Sequence, residues 1–116
     1  MIKFGTQFKQ GDILIVPFPF SNLREIIQRP VLVLSNNNYN RNSRDIIICG
    51  ITSNLKDTQC SVLIDNTKLS QGQIPIRSRI KVDKLFTIEK GIIKKRIAKV
   101  NKKIFEEIKK EFRKLV

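Results

Sequence analysis

The stretch RPVLVLSNNNYNRNSRDIIICGIT, Arg29 to Thr52, sets two apolar runs on either side of an asparagine-rich connection. Pro30 to Ser35 and Asp45 to Ser53 are short and β-branched-rich, which predicts buried strands. Asn36 to Arg44 reads as a turn-prone loop. If the strands form a simple antiparallel hairpin, symmetric about the Asn40–Arg41 junction, then Val33 faces Ile48, Val31 faces Gly50 and Arg29 faces Thr52. Opposed side chains share a sheet face, with Cβ atoms ~5 Å apart. A guanidinium and a hydroxyl therefore converge at the end of the sheet remote from the asparagines, provided no bulge breaks the register. Arginine offers a planar, permanently charged fork of donors, and threonine adds one more. That combination suits a phosphate, and Gly50 leaves backbone room beside it. Taken from spacing alone, a solvated Arg before Pro and a Thr chosen for strand propensity are the commoner reading.

Working outward, GDILIVPFPF (Gly11 to Phe20) opens with a turn pair and predicts a first strand over Asp12–Val16, ended by Pro17 and Pro19. Ser21 to Arg29 reads as a polar loop. Cys60 to Asp65 predicts another strand. Between Ile74 and Ile88, the alternating piece Ser78–Val82 is followed by a shorter second one. Lys94 to Val100 is a last strand or a turn. In NKKIFEEIKKEFRKL, Asn101 is the expected N-cap, and Ile104, Phe105, Ile108, Phe112 and Leu115 fall on one helical face. Five or six short strands and one terminal helix predict a mainly β (α+β) fold: a small, strongly bent antiparallel sheet or barrel with the helix against it.

The chain has 116 residues, a length for one domain. No apolar stretch is long enough to span a membrane. The N-terminus lacks the apolar core of a secretion signal, so a cytoplasmic location is expected. Cys49 and Cys60 are too few for a disulfide framework, and Cys49 reads as core. With no histidine in the chain, paired-imidazole chemistry and a histidine-activated thiol are both excluded. Glu106, Glu107 and Glu111 form the one carboxylate cluster. They sit among lysines on the terminal helix and read as surface charge pairs rather than metal ligands. Lys and Arg total 23 against 10 Asp and Glu, a net charge of +13. Such an excess favours polyanions, nucleic acid first, with an anionic membrane or an acidic protein as alternatives. The apolar face of the terminal helix is narrow and fits core docking better than a membrane.

These residues resemble a known family. GDILIVPFPFSNL, then RPVLVLSN, then ICGITSN, continuing through Ser78…Asp83 and Thr87-Ile88 to the C-terminal helix, is similar to the MazF/PemK toxin endoribonucleases of type II toxin–antitoxin systems. The resemblance spans most of the chain, residues 1–116 being expected to form one such domain. It implies an SH3-like barrel of bent antiparallel strands, a two-fold homodimer, and metal-independent, sequence-selective cleavage of single-stranded RNA, usually mRNA. No cofactor is implied. It implies a catalytic pair at Arg29 and Thr52, the residues that the hairpin register also brings together. It further implies 2′-hydroxyl attack on the adjacent phosphorus, leaving a cyclic phosphate and a 5′-hydroxyl, and a cognate acidic antitoxin as partner.

In that frame Arg29 stabilises phosphoryl charge and Thr52 hydrogen-bonds a phosphoryl oxygen. A guanidinium is a poor base, which leaves the base unassigned. Substrate grip is expected from the Ser21–Gln28 connection, from Phe18 and Phe20 as stacking platforms, and from Arg24, Lys56, Lys81 and Lys84 as phosphate contacts. Gln28, Ser53, Ser78 and Asp83 are further RNA-binding candidates at positions matching the family pattern. Lys84 departs from the amide many relatives carry there. Non-catalytic nucleic-acid binding and gyrase poisoning on the same barrel are the rival readings, and an intact Arg29/Thr52 pair argues for the nuclease.

Overall fold

The computed structural model describes residues 7–19 and 26–116, with the backbone alone at 18, 19 and 26. In these, seven strands form one antiparallel sheet: β1 Asp12–Pro19, β2 Ile26–Val33, β3 Asp45–Thr52, β4 Ser61–Ile64, β5 Leu69–Gly72, β6 Ser78–Glu89 and β7 Lys95–Val100. Their spatial order is β4-β6-β3-β2-β1-β7-β5, curled into a half-barrel with β4 and β5 at its edges. Helix α1 (Asn37–Asn42) joins β2 to β3, and α2 (Lys102–Arg113) closes the chain. The expected mainly β architecture with a C-terminal helix is the one found.

The unbroken apolar runs of β1 to β3 follow from burial on both faces. Strand alternation sends successive side chains to opposite sides. Ile13, Leu32, Cys49 and Ile51 join a core that continues through Ile80, Val82, Ala98, Ile104 and Ile108 under α2. Leu14, Val16, Val31, Val33, Ile46 and Ile48 build a second core on the other face. Asn101 caps α2, its Oδ1 accepting from the Ile104 N–H at 2.8 Å. Ile104, Phe105 and Ile108 are buried, so truncating Ile108 to Ala should cost about 2–5 kcal/mol. Leu115, expected on that face, lies beyond the helix end and is 43% exposed. Glu106 and Glu111 pair with Lys109 and Lys114 one turn on, as surface ion pairs.

Several expectations are corrected. β1 does not stop at Val16: Pro17 pairs with Gln28 and Pro19 with Ile26. The neighbouring β7 ends opposite Ile15, so this stretch borders β2 alone, and an edge tolerates the prolines' missing donors. Ile26 to Arg29, expected in a loop, begins β2. The asparagine connection is not a plain turn. Asn36 caps α1 by accepting from the Tyr39 N–H (2.8 Å), Asn37 accepts from the Gln10 N–H (2.8 Å), and buried Asn40 donates to the Ser35 carbonyl (2.9 Å). Helix-capping and loop-tethering bonds thus account for the run. β5 appears where no strand is expected. β6 is one strand, but its register against β3 jumps from Cys49↔Leu85 to Gly50↔Lys81, so Val82, Asp83 and Lys84 have no β3 partner.

Candidate functional site

The register across the central strands is the expected one, Val33↔Ile48 and Val31↔Gly50. The ladder ends there, two positions before Arg29 and Thr52. Both are half-buried, and both line a groove of about 370 Å³ at the open end of the second core. Pro30, Val31, Gly50 and Ile51 supply apolar and backbone surface. Asn54, Lys56 and Thr58 come from the connection after β3, and Lys81, Lys84 and Phe86 come from β6. Four cations thus line the groove, Arg29, Lys56, Lys81 and Lys84, and none of its lining residues is a carboxylate.

The geometry has local causes. β-Bulges recur next to functional sites because they re-aim side chains. Here the jump in β6 swings Lys84 over Gly50, where a Cβ would meet the Lys84 Cβ at 3.6 Å. Thr52 Oγ1 accepts from the Asn54 N–H (3.1 Å), and Asn54 Oδ1 accepts from the Lys56 N–H (3.1 Å). These turns fold the chain back along the groove wall. Lys81 Nζ donates to Thr58 Oγ1 (2.7 Å), while Arg79 donates to the Leu55 carbonyl (3.1 Å) and to Ser61 Oγ (3.1 Å). Burial, and then the Asp83 carboxylate, push the Cys49 thiol up to about 12. That thiol lies in the core away from the groove, consistent with a packing role.

The expected site residues do not all meet. Arg29, Thr52, Lys56 and Lys84 share the groove. Gln28, Ser53 and Ser78 lie instead in a second hollow of about 310 Å³ on the opposite face, with Ile27, Pro75 and Ile76; Arg29 and Pro30 border both. For Gln28 alternation is the reason, since it neighbours Arg29 along β2 and so points away from the groove; Ser53 follows the last residue of β3. Asp83 is exposed and lines neither hollow. Phe20, Arg24 and the Phe18 side chain lie outside the described residues. Asn54, Thr58 and Phe86 are groove residues that the sequence reading did not single out. Asn54 carries a readable signal in its turn-forming position just past Thr52. Phe86 carries none, because the bulge places it, and Thr58 carries none, because its hydrogen bond from Lys81 holds it there. Among the described residues, no group of three His, Cys, Asp or Glu side chains gathers as a metal set would, and no helix is long and apolar enough to cross a membrane.

The family model of the PemK-like, MazF-like toxins of type II toxin–antitoxin systems matches residues 9–116. The chain belongs to that family. Solved structures of similar fold include an endoribonuclease from a mycobacterial species, 16% identical, with 97% of this chain and 93% of that chain covered and a TM-score of 0.75. A MazE–MazF complex from Deinococcus radiodurans is 17% identical, covering 94% and 95%, with a TM-score of 0.76. A mycobacterial endoribonuclease in complex with its cognate antitoxin is 16% identical, covering 92% of each chain, with a TM-score of 0.75. At these identities the likeness is one of fold. No curated protein matches the sequence.

Proposed function

We propose that this PemK/MazF-family toxin is an endoribonuclease that cuts single-stranded RNA, mRNA in the cell, and so blocks translation and growth. The observation that carries the reading is the convergence of Arg29 and Thr52 in one groove with three lysines and no carboxylate. A polyanion is drawn to such a lining, and the lysines can neutralise phosphates on either side of the scissile one. The RNA 2′-oxygen attacks the adjacent phosphorus, the bond to the leaving 5′-oxygen breaks, and the products are a 2′,3′-cyclic phosphate and a 5′-hydroxyl. Negative charge builds on the phosphoryl oxygens as the new bond forms. Arg29, held within β2 opposite Val16 of β1, meets that charge without reorganising, and one such donor is worth about 10²–10³ in rate. Thr52 Oγ1 accepts from the Asn54 N–H, which leaves its own hydrogen to donate to a phosphoryl oxygen. The fixed cations serve the electrostatic role a divalent ion would otherwise fill, so the proposed reaction is metal-independent. Cleavage is sequence-selective, the selectivity coming from groove residues beyond the pair.

The fold neighbours solved with antitoxins support the partner reading. In this reading an acidic antitoxin segment occupies the basic groove, the toxin is a homodimer, and it acts in the cytoplasm. The deciding experiment incubates purified protein with a long single-stranded RNA in EDTA and maps the ends. Cuts at a short recurrent site, bearing 5′-hydroxyls and absent with Arg29→Ala and Thr52→Ala, are expected. Binding without cleavage would sink the proposal.

A further inference from the structure

Phe86 has no part in the reaction above, yet its ring stands in the groove wall and is 43% exposed. Its register explains where it points. Phe86 pairs with Ile48, and Ile48 with Val33; the next row holds Lys81, Gly50 and Val31. Arg29 and Thr52 lie just beyond that row. Ile48, Val33 and Val31 are buried core. Gly50 therefore leaves room in the groove beside Val31, flanked by the Phe86 ring, with the Lys84 side chain over it.

An aromatic face, the room beside a glycine and a neighbouring ammonium suit a nucleotide: the base stacks on the ring and the cation meets its phosphate. We propose that Phe86 and the room beside Gly50 form a nucleobase subsite beside the reacting phosphate, with Lys84 contacting the phosphate of the stacked nucleotide. The path of the RNA rests on the ribonuclease reading. Every base has a π-face, so this subsite supplies affinity rather than base identity.

The test uses a single-stranded 2′-O-methyl RNA oligonucleotide carrying 2-aminopurine, which has no 2′-hydroxyl and cannot be cut. Wild-type protein should bind it and quench its fluorescence, and Phe86→Tyr should do the same. Phe86→Leu should bind roughly 5- to 150-fold more weakly, the equivalent of about 1–3 kcal/mol per stacked base. Gly50→Ala, whose added carbon meets only an ordinary contact, should weaken binding with Phe86 intact, which covers the case that Phe86→Leu fails to fold. Unchanged affinity and quenching in both Phe86→Leu and Gly50→Ala would overturn the subsite, even if wild type cleaves RNA. So would a Phe86→Leu protein that changes oligomeric state in sedimentation but binds the probe normally, since the ring would then serve contact between copies. Loss of quenching in these variants, alongside a wild type that cuts no RNA, would uphold the subsite and remove the ribonuclease reading.

Discussion

Lys81 donates from Nζ to the Thr58 hydroxyl at 2.7 Å, pinning a residue of the β3–β4 connection to the strand that carries the groove's far wall. Arg79, two places earlier on β6, holds the same connection through the Leu55 carbonyl and Ser61. Arg79 does not line the groove and Lys81 does. Arg79→Ala should therefore cost about 1–2 kcal/mol of stability, read as a melting point lower by a few degrees. Lys81→Ala should instead lower the slope of log affinity against log salt by about 0.7, the value of one single-strand phosphate contact. Anisotropy with an uncleavable oligonucleotide measures it. An unchanged slope would remove Lys81 from the phosphate contacts.

Thr52 is expected to act through its hydroxyl alone. Thr52→Ser keeps the oxygen that accepts from the Asn54 N–H and should retain most activity. Thr52→Val keeps the shape and loses the donor, so kcat should fall about 10²–10³-fold. Equal activity in the two variants would show that the hydroxyl has no part in the chemistry.

Gly72 sits at φ +73°, and a Cβ there would lie 2.1 Å from the Ile97 carbonyl oxygen in β7. Gly72→Ala must shift backbone, not a flexible side chain. Together with the left-handed strain, about 1–3 kcal/mol by itself, this predicts a melting point lower by roughly 10 °C or more. Gly91→Ala, with open space around it, is the matched control and should melt within a degree or two of wild type.

The two thiols should separate cleanly. Cys49 is buried and its thiol is pushed up to about 12, whereas Cys60 is only half-buried. At pH 8 a thiol reagent should modify Cys60 in the native protein and both residues in denaturant. The sign for stability follows: the folded state holds the Cys49 proton more tightly than the unfolded chain, whose ordinary value is 9.0. This contribution is fully present below about pH 9 and drains away as pH rises toward 12. Rapid native labelling of Cys49 would contradict the burial behind the shift.

The pairing of Val31 with Gly50 is readable in the sequence because the Asn40–Arg41 junction lies midway between the two apolar runs, and α1 keeps that midpoint. That is why α1 could replace a turn without displacing the strands. Arg29 and Thr52 inherit their shared groove from the same count. Gln28 and Ser53 were expected with the RNA contacts and lie in the other hollow instead; for Gln28 the alternation along β2 would have given this, since adjacent strand positions face apart. β5 is harder to see: Leu69–Gly72 has one apolar side chain and is held by its partner β7 rather than by its own pattern. The far wall of the groove was legible only in part: Lys81 and Lys84 were expected as phosphate contacts, but Phe86 and Thr58 were not, nor was the way they converge. Lys81, Lys84 and Phe86 reach it because β6 slips by three residues against β3, and Thr58 reaches it because distant cations pull its connection inward. Such convergence is tertiary and leaves no local periodicity.

The two cores on opposite faces of β1 to β3 have a consequence for how the molecule opens. These strands are a shared wall: fraying an outer element opens one core in part, but when the wall itself comes apart both are lost together. Amides such as those of Leu32 and Cys49 should then exchange with solvent only through global unfolding, while those of β4, β5 and the end of α2 exchange through smaller excursions. Arg29 and Thr52 are mounted at the rim of that wall, on the part of the chain that gives way last.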